Sequence, residues 1–172
     1  TANIIDLPGT YSLYPRRSDE WVAYNVMMNP GSTEKPELYV LIVDASNLKR
    51  NLLFFFFLID LKKPVVIALT MMDIASKKGL KIDVQGLERE LGVPVIPVNP
   101  RKDKGINELK KAIDQTARQL YKPPLRNFVA ASNLSEAAID DIKKIIPQIS
   151  DYAAVHYLIH HESFALDAPV QD

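Results

Sequence analysis

Residues 38–44 read LYVLIVD and residues 64–70 read PVVIALT. Both runs are almost wholly apolar and rich in β-branched side chains, and each ends on a polar residue, Asp44 in one and Thr70 in the other. Such runs fit strands covered on both faces, as in a parallel sheet flanked by helices. Residues 47–61, between them, carry the run LLFFFFLI at 52–59 and predict a helix. Downstream, residues 83–91 (DVQGLEREL) predict a helix stopped by Gly92 as a C-cap. Residues 94–99 (PVIPVN) predict a further strand. Residues 105–121 predict a helix with Ile106, Leu109, Ile113 and Leu120 on one side. Upstream, residues 3–6 read as a short strand entering the turn Leu7-Pro8-Gly9. Ser18–Met28 reads as a helix with an acidic first turn behind a capping serine. Strands alternating with helices give an α/β fold with a parallel sheet, whose ligands gather at the carboxyl ends of the strands.

After Lys122-Pro123-Pro124 the strand-like runs stop, and residues 133–146 and 150–160 predict two helices around Pro147. The expected organisation is an α/β domain over residues 1–122 and a helical appendage over 123–172.

Composition narrows the function. Over 172 residues, 21 Lys and Arg balance 21 Asp and Glu, so no general field draws the chain to nucleic acid or anionic lipid. With no cysteine, disulfides, thiolate zinc sites and cysteine nucleophiles are excluded. None of the six glycines sits in a G-x-x-x-x-G-K-[ST] or G-x-G-x-x-G pattern, so neither common phosphate cradle lies within these residues. No apolar run approaches the roughly 20 residues that span a bilayer. The run at 52–59 is flanked by Lys49, Arg50, Asp60, Lys62 and Lys63 and reads as a buried stretch of helix. The opening Thr1-Ala2-Asn3-Ile4-Ile5-Asp6 has no basic region or signal core, and it starts inside a strand-like stretch. The expectation is a piece of something longer.

Three predicted strand ends carry polar signals in a telling order. Asp6-Leu7-Pro8-Gly9 is D-x-x-G; in nucleoside-triphosphate switches that Asp holds Mg²⁺ through water and that Gly amide reaches the terminal phosphate. Taken alone, the pattern is a common turn. Thr70-Met71-Met72-Asp73 stands where GTP-binding proteins carry N-K-x-D. There the Asp accepts from guanine N1 and N2 and the Asn ties loops together. Asp73 is in place, Thr70 replaces Asn and Met71 replaces Lys. Met71 keeps a flexible apolar stem that can lie over a base. Asn99-Pro100-Arg101 stands at the S-A-K/R loop, whose middle residue offers an N–H to guanine O6; Pro100 has none.

With IIDLPGTYSLYP, VDASNLKRNL, ALTMMDIASKKGLKID and LERELGVPVIPVNPRKDKGINELKKAI in this order, residues 3–120 closely resemble the cytoplasmic G domain of the ferrous iron transport protein B family. The later helices resemble, more weakly, the start of that family's helical domain, which restrains GDP release. The resemblance implies a P-loop GTPase fold binding GTP or GDP with Mg²⁺, fused to a membrane domain that moves Fe²⁺. It implies the cytoplasmic face of the bacterial inner membrane, no nucleic-acid partner, and leaves a homo-oligomer open. Asp6 would be the water-mediated Mg²⁺ partner, Gly9 would report the terminal phosphate, and residues 7–19 would form the second switch. Thr10 would stand at the water-positioning place usually held by glutamine, and its short side chain implies slow hydrolysis. Thr70, Met71 and Asp73 would read guanine, and Asn99, Pro100 and Arg101 would close over it. In the family the P-loop, the first switch and a strand between those ending at Asp6 and Asp44 lie upstream of Thr1. A slot in the sheet and no GTP hydrolysis by this chain alone are therefore expected.

Plainer readings compete at several residues. Asp44 reads as a turn cap, Arg50 and Asn51 as scaffold, and Phe54 to Phe57 as core. Tyr11, Tyr14 and Trp21 pack a helix or meet a partner. His156 and His160 share a helical face, with His161 and Glu162 following, but two histidines without a third ligand at clear spacing read as surface residues. Lys77-Lys78 and Lys110-Lys111 read as solvated charge. Two other functions stay open: a non-catalytic regulatory or interaction module on a G-protein scaffold, and a GTPase of another branch, such as one in ribosome assembly.

Overall fold

The apolar runs at 38–44 and 64–70 form strands, β1 (Tyr39–Asp44) and β2 (Val65–Thr70), paired in parallel from Tyr39 opposite Val65 to Asp44 opposite Thr70. The computed structural model describes residues 2–10, 15, 17–29, 36–118, 124, 127–128, 136–147 and 149–160. These fall into two compact units, Glu37–Arg126 and a second that groups Thr1–Pro36 with Asn127–Asp172.

In the first unit β1 leads through a 3₁₀ turn, Ala45–Asn47, into α2 (Leu48–Asp60), the second helix of the chain after α1 (Ser18–Met28). Strand β2 is followed by α3 (Met72–Lys77) and α4 (Val84–Leu91), then β3 (Val95–Pro97) and α5 (Ile106–Ala117). The sheet order is β1-β2-β3, with Ile67 opposite Val95 and Leu69 opposite Pro97, also parallel.

Burial explains the composition of the central strand. Val65 to Leu69 are all buried in β2, as a strand covered on both faces must be. Strand β1 differs from that expectation: Tyr39 and Val43 are buried, whereas Val40 and Ile42 on the alternate face are exposed, Ile42 by 60%. Side chains alternate along a strand, so an edge strand covered on one face leaves its other apolar row open. Helix α2 buries Phe54, Phe55, Leu58 and Ile59, each worth roughly 1.5–3 kcal/mol of apolar transfer; of the phenylalanine run, Phe54 and Phe55 lie in the core while Phe56 and Phe57 are half-buried.

Caps set the helix ends. The Asp83 side chain accepts from Gly86 N–H at 2.9 Å at the start of α4, and Gly92 closes it in the left-handed region at φ 68°. The Asp44 carboxylate accepts from Ser46 N–H at 2.7 Å, the turn-capping reading. The helix expected over 105–121 runs Ile106–Ala117, and residues 119–123 lie outside the described ones.

The second unit holds α1, α6 (Glu136–Ile145) and α7 (Asp151–His160), close to the expected spans. Its N-cap corrects one reading: Ser18 is already helical, and Arg17 is the cap, its N–H donating to Glu20. Residues 3–6 do not form a strand. They lie in an irregular segment with Ile4 92% exposed, because an extended segment becomes a strand only beside a hydrogen-bonding neighbour. No helix among the described residues is long and apolar enough to cross a membrane.

Candidate functional site

The site lies where β2 and β3 end, side by side. Val98 N–H donates to the Leu69 carbonyl at 2.8 Å, so the segments starting at Thr70 and Asn99 leave adjacent strands together. The segment carrying Thr70, Met71 and Asp73 and the segment carrying Asn99, Pro100 and Arg101 thus begin at neighbouring strand ends.

Each residue is held differently. Thr70 Oγ1 donates to the Val43 carbonyl at 3.1 Å, joining the end of β2 to β1. Met71 follows in the left-handed region at φ 57°, an unusual conformation for a non-glycine residue, and its side chain is 49% exposed. That backbone turn starts α3, whose first turn carries Asp73. Asp73 is exposed, with Oδ1 accepting from Ile74 N–H at 3.0 Å.

On the β3 side, Asn99 and Lys104 pair through both backbone groups, Asn99 N–H to Lys104 O at 2.9 Å and Lys104 N–H to Asn99 O at 3.1 Å. This clasp encloses a 3₁₀ turn, Pro100–Lys102, in which Pro100 and Arg101 are exposed. Asp103 and Gly105 take left-handed conformations to close it. A Cβ on Gly105 would lie 2.0 Å from the Pro97 carbonyl oxygen, so only glycine fits.

Three features of the site escaped sequence reasoning. The first is α3 itself, too short for a periodic pattern. The second is the Thr70–Val43 bond. The third is Lys78, whose Nζ donates to Ser46 Oγ at 3.4 Å and links the segment after α3 to the turn after β1. Only the glycine at 105, ahead of an amphipathic helix, signalled the clasp.

Asp6, Gly9 and Thr10 belong to the other unit, in irregular backbone, with Asp6 and Gly9 exposed and Thr10 half-buried. A Cβ on Gly9 would meet nothing within 4 Å, so packing does not demand glycine there. Among the described residues no three His, Asp or Glu side chains converge as a metal site. Asp6 is an exposed carboxylate outside any such cluster.

The histidines correct another reading, for they are not surface residues. His156 is fully buried and its Nδ1 lies 3.1 Å from the Tyr24 hydroxyl of α1; His160 is half-buried on the same face of α7. Burial, reinforced by neighbouring His160, pushes the His156 imidazole down to about 4. Trp21 packs edge-on against Tyr24 and His160, the packing role. Tyr11, Tyr14, His161 and Glu162 lie outside the described residues.

Known proteins resemble this chain in sequence and in fold. The sequence profile of the family described as ferrous iron transport protein B matches residues 1–113. The chain belongs to that family. It is 41% identical over 116 residues to the Fe(2+) transporter FeoB of Salmonella typhimurium and 40% identical to that of Escherichia coli K12. Each alignment covers 65% of this chain. The chain spans 14% of the length of those curated FeoB relatives. Among solved structures, the FeoB G domain from Methanococcus jannaschii is 43% identical, with a TM-score of 0.61, covering 66% of this chain and 70% of that one. The cytosolic domain of T. maritima FeoB in its GMPPNP form is 29% identical, with a TM-score of 0.72, covering 90% and 61%. These likenesses extend the parallel-sheet α/β architecture of FeoB G domains to this chain.

Proposed function

We propose that this chain supplies the guanine-reading part, and the D-x-x-G switch, of a GTP-binding domain in a ferrous iron transporter of the FeoB family. The observation that carries the reading is Asp73 on the first turn after β2, a strand whose end is hydrogen-bonded to the end of β3, where the Asn99–Lys104 clasp begins. A carboxylate presents two acceptor oxygens to the paired N1–H and N2–H donors of guanine and opposes the acceptor N1 of adenine. Met71 offers an apolar stem to the base face. Pro100 cannot donate to O6, so the first amide of its turn able to do so is that of Arg101.

In this reading residues 1–122 are the G-domain portion and 123–172 the beginning of a helical domain. Asp6 would hold, through water, the Mg²⁺ that accompanies the nucleotide, and Gly9 would offer its amide to the terminal phosphate. Thr10 replaces a water-orienting glutamine and makes turnover slow. GDP- and GMPPNP-bound forms of the T. maritima relative support guanine nucleotide as the ligand. Because no phosphate-cradling glycine loop occurs within these 172 residues, the chain by itself binds weakly and does not turn over GTP. In the same reading the chain works at the cytoplasmic face of the bacterial inner membrane, as part of a multi-pass parent protein that continues into an iron-conducting domain.

Saturation-transfer NMR tests the base site at weak affinity. A GDP signal exceeding that of ADP and lost in Asp73→Ala supports the reading. Equal signals, or one indifferent to Asp73→Ala, leave an interaction module on a G-protein scaffold.

A further inference from the structure

Within the second unit, α1 and α7 meet through a buried cluster of aromatic and imidazole rings. Tyr24 of α1 and His156 of α7 are both buried, Tyr24 to 1% and His156 to 0% exposure, and share the hydrogen bond already described. Tyr152 packs edge-on against His156 with centroids 4.8 Å apart, and the two imidazoles stack at 6.2 Å. Trp21 and Tyr24 close over His160 at 5.5 and 5.2 Å.

We propose that the Tyr24–His156 contact is a proton-sensitive latch between α1, the helix following D-x-x-G, and α7, opened when the stacked histidines take up protons. A neutral imidazole satisfies the contact in either sense, the phenol donating to the bare Nδ1 or Nδ1–H donating to the phenol oxygen. An imidazolium keeps the second of these bonds, so opening does not come from losing it. The cost is a positive charge placed among aromatic rings, away from water and beside a second imidazole.

The groups around the pair set the direction. Tyr24 faces both histidines from α1; Tyr152 and each histidine's partner face them from α7. At the opening turn of α1, Asp19 and Glu20 hold Arg17. On α6, Lys143 is paired with Asp151 of α7 and Lys144 with Asp141, while Glu136 and Asp140 are exposed. Burial lowers the affinity of both histidines for a proton, so the latch is closed at neutral pH.

The chain's single tryptophan, Trp21, is a built-in reporter. The test is hydrogen exchange of the α1 and α7 amides in the 172-residue chain, corrected for the intrinsic pH dependence, with Trp21 emission followed in parallel. Between neutral pH and about pH 5, protection of both helices should fall by about tenfold while α2 and α5 stay protected. In His156→Gln, neutral throughout, that pH step should shrink, and in His156→Gln/His160→Gln it should vanish. Tyr24→Phe keeps the ring but removes the hydroxyl; it should lower protection at neutral pH and leave the step in place. Unchanged protection in the wild-type chain, or a step that survives in the double variant, would overturn the latch.

Discussion

Thr70 and Val43 are joined across the neighbouring ends of β2 and β1, the Thr70 hydroxyl donating to the Val43 carbonyl at 3.1 Å. Register explains the reach: Thr70 stands opposite Asp44, so its side chain meets the carbonyl of the preceding residue on β1. The bond fixes the segment that carries Asp73 relative to the turn capped by Asp44. Thr70→Val keeps the shape and removes the donor, and should cost about 0.5–1.5 kcal/mol. Thr70→Ser should retain most of it. Urea unfolding of both variants checks this; equal stability of Thr70→Val and wild type would show that the bond contributes nothing.

Gly105 closes the Asn99–Lys104 clasp at φ 79°, with the Pro97 carbonyl where a Cβ would go. Gly105→Ala therefore combines left-handed strain of roughly 1–2 kcal/mol with a backbone clash. The expected loss is at least about 2 kcal/mol, in the range of the larger single-residue effects. Gly9→Ala has neither a positive φ nor a close neighbour and should stay within about 0.5 kcal/mol of wild type. Thermal unfolding of the pair gives the comparison directly. A Gly105→Ala chain as stable as Gly9→Ala would contradict the geometry.

How much of this could be read in advance varies by element. Strand β2 was legible because it is buried over most of its length, and helix α2 because its buried side chains crowd into the stretch Phe54–Asp60, so burial writes itself into composition. Gly92 was legible because a cap acts within a few residues of sequence, whereas Asp83, read as the first helical residue, is the N-cap ahead of Val84. The Thr70–Val43 bond was not, since it depends on which strand lies alongside and in which register. The same reason hid the fate of residues 3–6: β-propensity describes a side chain's fit to a sheet and cannot supply the neighbour. His156 and His160 were recognisable as sharing a helical face, yet the partner that buries His156, Tyr24, is 132 positions away. At the candidate site Asp73 and the 99–101 segment were found from motif order, whereas Lys78 and the clasp depend on tertiary closure.

Asp73 also predicts an exchange of base preference. Xanthine keeps the N1–H donor of guanine but carries an oxygen acceptor in place of the 2-amino group. Asn in place of Asp offers one acceptor and one donor, the complement of that edge. Asp73→Asn should weaken GDP and favour xanthosine diphosphate, each good hydrogen bond to the base being worth about 1 kcal/mol or several-fold in affinity. Competition between the two diphosphates by saturation-transfer NMR reads the ratio. A ratio unchanged by the substitution would remove Asp73 from the base site, whatever happens to overall affinity.

The buried imidazole gives the second unit a pH-dependent stability of definite sign. Its folded-state pKa of about 4 lies below the ordinary 6.5, so folding favours the neutral ring and the unfolded chain takes up protons more readily. The contribution is whole above pH 6.5 and is lost as the solution is acidified from there toward about 4. A tenfold change in proton affinity is worth about 1.4 kcal/mol, which makes the full effect on the order of 3 kcal/mol. His156→Phe replaces the titrating ring with an apolar one and forfeits the bond to Tyr24. It should be less stable than wild type at neutral pH, by roughly 1–3 kcal/mol for the buried hydroxyl left behind, and flatter with acid. Urea midpoints followed by far-ultraviolet circular dichroism across this pH range would separate the two chains. Parallel slopes would assign the acid loss to other groups and leave His156 with a packing role alone.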